Sequence, residues 1–375
     1  MTETFQIPVV PVTQLAQHHS SSHRRRLLER LGHLFSDVVL RDAPAQDAAR
    51  WHEHEIGGRS YRFARPLTLT PYASARACSA RCRFCSETLR DGTASGTMAA
   101  SMRPSHRYAD SLREALKALE GVPLSYSLSG LEATDDPHWL LSLLDTLASC
   151  TSGPVVEGSV LYTNGAGLVA HPQLLGALKA FKLSWMEWSR HHDQEAPNQR
   201  IMRFRPGQQV QAQTVFEEGV IAAQRDVPVK LVCVVQRGGI ETVDDVLRYL
   251  RWAGSLGVRT VIFRAFSELP AHYVHNVTRR YIDGARVAMD TLQQACIEDP
   301  RFTALHVPVA LTSGYYFWNA RWATEDGCEV VFESSDYEAM LAREASGLIY
   351  KLVFHANEHL CAGWQPDRNV LWRPQ

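Results

Sequence analysis

The chain has 375 residues, 45% of them apolar and 21% charged, with a formal net charge of -1. That is enough apolar material for a substantial core, in one large domain with additions or in two domains. The near-zero balance excludes any general attraction to nucleic acid or anionic lipid, so no partner of either kind is expected.

The opening stretch, Met1-Thr-Glu-Thr-Phe-Gln6, lacks a charged-then-apolar signal pattern. No apolar run nears the ~20 residues that cross a bilayer. A cytoplasmic location is the expectation, and thiols stay reduced there. The eight cysteines are therefore not read as four disulfides. Three crowd into residues 78–85, while Cys150, Cys233, Cys296, Cys328 and Cys361 are scattered singly.

Residues 1–65 are polar and read as a helical N-terminal extension, clearest over 24–35. The run His23-Arg24-Arg25-Arg26 reads as a solvated helix face rather than a targeting or RNA patch. A strand-forming stretch at 66–73 leads into the cysteines. Strand-like apolar runs then follow at 124–129, 158–163, 183–189, 229–235 and 260–266. They alternate with helical-period segments at 108–120, 137–149, 171–181, 206–224 and 242–256. Asp136-Pro137 sets an N-cap before a proline at the first helical position, and Gly121 and Gly257 supply stops. Short buried strands alternating with amphipathic helices predict a parallel sheet with helical crossovers. With the strand before the cysteines, six β/α units result. The expected fold class is α/β, a partial (β/α)6 barrel over residues 66–270, with functional residues at the carboxyl ends of its strands. Beyond 270 the rhythm changes to a long helix over 274–296, a segment at 307–317 and a hairpin-like pair at 348–354 and 360–364. Residues 271–375 read as an α+β C-terminal extension that closes the barrel mouth over substrate.

The cysteine segment runs Cys78-Ser-Ala-Arg-Cys82-Arg-Phe-Cys85. Thiolates bind iron–sulfur clusters and zinc well because both are comparatively soft. Spacings of three and two residues let three sulfurs face one point. Three thiolates would leave the fourth iron of a cubane without a protein ligand, and an open position is what a reactive metal site needs. A zinc knuckle completed by a histidine such as His106, or three unconnected loop cysteines, are the alternatives.

This Cys-x3-Cys-x2-Cys pattern after a first barrel strand, with Phe84 before the last cysteine, resembles the radical S-adenosylmethionine superfamily. The resemblance implies one 4Fe–4S cluster on Cys78, Cys82 and Cys85, whose unique iron is chelated by S-adenosylmethionine. Electron transfer then breaks a carbon–sulfur bond and releases a 5′-deoxyadenosyl radical. It implies an external reductant such as flavodoxin or ferredoxin, and packing of Phe84 beside the cluster.

Further segments extend the resemblance over most of residues 66–268. Ser127-Leu-Ser129-Gly130-Leu131-Glu132 is similar to the family's Gly-Gly-Glu motif, which implies that Ser129, Gly130 and Glu132 hold the methionyl ammonium; Leu131 departs from it. The other reading of Glu132 is an exposed acid starting a helix. Thr163-Asn164-Gly165 is similar to a frequent ending of the third strand, and alone it would be an ordinary turn. The fourth-strand ending implies Ser189 at the ribose and Arg190 at the methionyl carboxylate, since guanidinium pairs with carboxylates. His191, His192 and Asp193 read as loop residues near substrate or as solvated groups.

The remaining cysteines do not cluster, so no auxiliary cluster is expected. A redox-neutral outcome is then easier. Cys361 is a candidate hydrogen donor to a product radical, or a small apolar core residue. The substrate is expected to be a small polar metabolite of sugar, nucleoside or amino-acid type. Rival readings are a peptide- or RNA-modifying enzyme of the same family, and a non-catalytic metal-binding protein.

Overall fold

The structure, a computed structural model, describes residues 7–12, 22–41, 50–89 and 102–375. Four strands precede the cysteine loop: β1 (Val9–Pro11), β2 (Asp37–Leu40), β3 (Trp51–Ile56) and β4 (Arg59–Tyr72). The next five are β5 (Pro123–Leu128), β6 (Val155–Thr163), β7 (Trp185–Ser189), β8 (Val229–Val234) and β9 (Thr260–Arg264). The chain ends with β10 (Val307–Ser313), β11 (Phe317–Ala323), β12 (Glu329–Ser335), β13 (Leu348–His355), β14 (Leu360–Ala362) and β15 (Val370–Trp372).

Strands β4 to β9 lie side by side in chain order, all parallel. Helices cross over between them, at Tyr108–Lys117, Pro137–Ala148, Leu174–Ala180, Gln213–Ala223 and Val243–Ser255. This is the partial (β/α)6 barrel. Its outer layer follows from helix amphipathicity: Leu112, Ala115 and Leu116 of one crossover are buried, as are Val246, Tyr249 and Ala253 of another. The last of these helices starts at a capping box, Thr242 with Asp245. Asp136 accepts a hydrogen bond from the Trp139 N–H, and Pro137 follows it at the helix start.

The flanking segments differ from expectation. The N-terminal extension is mixed rather than helical: the Ser22–Leu31 helix lies between β1 and β2, and β3 pairs with β4. The C-terminal extension is not a separate lid. Its strands lengthen the sheet at both ends, with β12 parallel to β9 and β13 parallel to β4. A six-stranded arc leaves two open edges, each a row of unpaired backbone groups, and these strands cover them. Tyr315, before β11, stacks on Tyr350 of β13 with ring centroids 5.0 Å apart, so side chains bridge the gap between the two ends of the arc.

The helix expected over 274–296 is two, Val277–Ala285 and Met289–Glu298. Gly284 sits in the last turn of the first helix and weakens it there. Arg286 leaves helical geometry because its guanidinium donates to Phe266 O at 2.6 Å and Ser267 O at 3.0 Å, while the Arg237 N–H takes up Ala285 O at 2.9 Å. Long-range bonds outcompete the local ladder there. No helix of the described residues is long and apolar enough to cross a membrane.

Candidate active site

The carboxyl ends of the barrel strands open onto a cavity of about 2400 Å3 that continues down the barrel lumen. Single-ligand pockets usually measure ~300–1000 Å3, so several bound groups fit this one. Cys78, Cys82 and Cys85 all line it. The segment carrying them follows β4 and is fastened by its backbone. The Arg81 and Arg83 N–H groups donate to Met202 O and Ile201 O, both at 3.0 Å, and the Arg205 N–H donates to Ser79 O at 2.9 Å. A tight turn brings the Cys85 N–H to Cys82 O at 3.2 Å. Asp135, from the loop after β5, accepts the Ser79 N–H at 2.6 Å.

Burial and neighbouring acidic groups push the Cys78 and Cys82 thiols well above their ordinary range. Bare thiols in such surroundings stay protonated and are poor nucleophiles. A bound metal reverses that preference by deprotonating its sulfur ligands. Among the described residues no three histidine, cysteine, aspartate or glutamate side chains converge on a single ion. His106 is exposed and does not line the cavity, which removes it as the fourth ligand of a zinc knuckle. A 4Fe–4S cluster asks for a different arrangement, because each thiolate binds its own iron. Three cysteine thiols on one cavity wall fit that group.

Glu132 lies at the centre of the polar network above the lumen. It is 3% exposed, so the exposed-acid reading is excluded. One carboxylate oxygen accepts from Thr134 Oγ1 at 2.6 Å and Thr163 Oγ1 at 2.8 Å; the other accepts from the Asn164 N–H at 2.6 Å. Burial first, and Asp135 second, push its carboxyl up to about 7. The Thr134 N–H also reaches the first oxygen, at 3.3 Å, so three donors crowd one oxygen while the other takes a single donor and keeps a lone pair for a ligand. Asn164 ties the network to the cysteine loop, its amide donating to Ser79 Oγ at 2.9 Å and approaching Cys78 Sγ at 3.6 Å.

Ser129, Gly130 and Leu131 form the neighbouring wall. Gly130 has φ 117, and a Cβ there would come within 3.2 Å of the Tyr72 ring. Leu131 has φ 50, a left-handed conformation that glycine adopts more cheaply. Its side chain packs with Tyr72, Met102, Val353 and Trp364. Phe84 lines the cavity with its ring 4.9 Å from His191 and 5.5 Å from Phe266. Ser189 and Asn164 line it as well.

Two expected site residues are elsewhere. Arg190 is fully buried behind the barrel wall, where its guanidinium donates to Val210 O at 3.2 Å and Gln213 Oε1 at 2.6 Å and stacks over Phe216. It does not reach the cavity, and the carboxylate-clamp assignment is corrected. Its backbone N–H bonds Val232 O at 3.0 Å, continuing the ladder, so it faces opposite to Ser189. Cys361 is also corrected as hydrogen donor. It sits fully buried on β14, two strands outside β4, with its thiol toward Pro366 O.

Of the His191-His192-Asp193 loop, only His191 lines the cavity. His191 is a buried neutral imidazole: burial, then Arg190, pull it down to about 3, and its Nδ1 accepts the Val234 N–H at 3.0 Å. His192 turns away to Asp193, 3.2 Å off. Deeper, Arg264 bridges Glu187, at 3.2 Å, and Glu333 across three strands. Lys351, from β13, also lines the lumen. The strand-end position of Arg264 was the available signal; nothing local marks Lys351.

No protein-family profile and no curated protein matches the chain. Among solved structures it is similar to anSMEcpe with bound AdoMet, at TM-score 0.42 and 15% identity over 53% of this chain and 51% of that one. It is also similar to Streptococcus suis SuiB bound to S-adenosylmethionine, at TM-score 0.47 and 14% identity over 81% and 61%. The chain thus spans about half the length of anSMEcpe. At such identities the likeness concerns the course of the backbone, and the chemistry of the site is read from its own side chains.

Proposed function

We propose that this chain is a radical S-adenosylmethionine enzyme acting on a small polar metabolite enclosed in the barrel lumen. The observation that carries the reading is the set of three cysteines outside any disulfide, Cys78, Cys82 and Cys85, on the wall of one cavity with the buried carboxylate of Glu132. A 4Fe–4S cluster held by these cysteines would supply the electron that cleaves S-adenosylmethionine and starts radical chemistry.

The protein's own groups have separable tasks in that scheme. Glu132, ionised and oriented by Thr134, Thr163 and Asn164, accepts from the methionyl ammonium. Gly130 holds the backbone beside the same group at a positive φ, tight against the Tyr72 ring, which a residue with a Cβ would not do without strain. Ser189 offers a hydroxyl to the ribose, and the Phe84 edge closes the apolar side. The Tyr315–Tyr350 stack between the arc's ends limits water entry and keeps the lumen suited to a compact substrate. An external reductant such as flavodoxin or ferredoxin supplies the electron.

The test is anaerobic reconstitution with iron and sulfide, then assay of 5′-deoxyadenosine under strong reductant. The wild-type chain should produce it, and Cys82→Ala should lose production by about 10³-fold or more, as expected when an essential cofactor ligand goes. Undiminished production in Cys82→Ala overturns the assignment.

A further inference from the structure

Lys351 is 8% exposed and lines the barrel lumen. Its Nζ donates to Thr70 Oγ1 at 2.6 Å and Thr68 Oγ1 at 3.0 Å, and it lies 5.2 Å from the Trp364 ring centroid. Among the described residues no carboxylate pairs with it. The contrast with its neighbours is plain: Arg264 has Glu187 and Glu333, and Arg65 has Glu157 at 3.6 Å. Two hydroxyls use two of the three ammonium donors and supply no charge. A buried cation without a counter-charge is expensive, and methionine would fill the space at lower cost. Burial alone pulls this lysine down to about 7. An arriving anion would restore its charged form.

The depth of the group shows which anion fits. Lys351 is in register with Thr68, and Thr68 with Ser125 of β5. Ser125 precedes Ser129 by four residues, so at ~3.3 Å per residue the Lys351 backbone lies about 13 Å below the loop expected to hold the methionyl group. Its ammonium, held between Thr68 and Thr70, stays on the substrate side of that loop. The surrounding wall carries the neutral hydrogen-bonding groups Ser125, Ser127, Tyr162 and Tyr350, and its nearby charges Arg65 and Glu157 pair with each other.

Resting on the proposed function, we propose that Lys351 receives a carboxylate of the substrate, which makes the substrate a small carboxylic acid bound in the lumen beneath S-adenosylmethionine. The same ammonium could in chemical terms receive the carboxylate of S-adenosylmethionine itself, and the experiment separates the two.

Lysines occur only at 117, 179, 182, 230 and 351, so 13C-lysine labelling gives few signals. The signal lost in Lys351→Met identifies the residue. The protein used is reconstituted and first verified to cleave S-adenosylmethionine, so a negative result counts against the carboxylate site and not against the enzyme class. Acetate serves as the probe and acetamide as its uncharged control. Acetate should raise the Lys351 titration midpoint by about one pH unit or more, with S-adenosylmethionine already present. Acetamide should leave it unchanged, as should S-adenosylmethionine alone. No shift with acetate, an equal shift with acetamide, or a shift produced by S-adenosylmethionine that acetate cannot add to would each overturn the proposal.

Discussion

Glu132 accepts from Thr134 twice, from Thr163 and from the Asn164 backbone, so its orientation is set before any ligand arrives. Glu132→Gln keeps the shape but turns an amide N–H₂ toward one of these donors. A charge-assisted hydrogen bond is worth about 1.5–3 kcal/mol, so S-adenosylmethionine affinity should fall about 10- to 100-fold, measured by equilibrium dialysis on reconstituted protein. The sign of the pH effect follows from burial and Asp135 raising this carboxyl to about 7. Below that value it is protonated and cannot pair with an ammonium. Wild-type affinity should therefore weaken as pH drops from 8 to 6, and Glu132→Gln should lose that slope. An unchanged slope in the variant would remove Glu132 from the binding site. The two residues that went astray are instructive at this scale. Arg190 follows Ser189 directly, and neighbours on an extended chain face opposite sides, so both could not enter the lumen. That much was legible in the sequence. The burial of Cys361 was not, because β14 pairs with β13, and β13 in turn joins the edge of β4, a strand almost three hundred positions earlier.

The loops that follow β5 and β6 act as one element, joined by a close approach of backbones. A Cβ on Gly167 would lie 1.9 Å from the Thr134 carbonyl oxygen, which no side-chain adjustment relieves. Gly167→Ala must part the Ala166–Ala170 helix from the Ala133–Asp135 turn. Overpacking of this kind costs about 1–3 kcal/mol, and here it also displaces Thr134 from Glu132. The expected outcome is a melting temperature several degrees lower together with weaker S-adenosylmethionine binding. Gly176, inside a helix with nothing near its missing Cβ, supplies a control in which Ala should raise the melting temperature slightly and leave binding unchanged. The crossover helices and the parallel strands were legible because amphipathic period and glycine or proline boundaries are local signals. The break at Arg286 was hidden, since the carbonyls that capture its guanidinium belong to the loop after β9.

For the whole molecule, the question is whether residues 346–375 form a lid or a wall. Every residue of β13 is buried, and the strand lies between β4 and β14. Its apolar side chains Leu348, Ile349, Leu352, Val353 and Phe354 enter three of the hydrophobic clusters rather than covering a surface. At about 1.5–3 kcal/mol each, their burial contributes roughly 7–15 kcal/mol, as large as the entire net stability of a typical domain. Removing them also bares the edge of β4, the strand that leads into the cysteine loop. A lid could be deleted with only substrate binding lost. A wall could not. A chain ending at residue 345 should therefore lose cooperative thermal unfolding and near-ultraviolet circular dichroism, and should fail to retain iron and sulfide after reconstitution. A truncated chain that still melts in one sharp transition and holds its cluster would mean that these strands are detachable, and that the lumen is bounded by β4 to β9 alone.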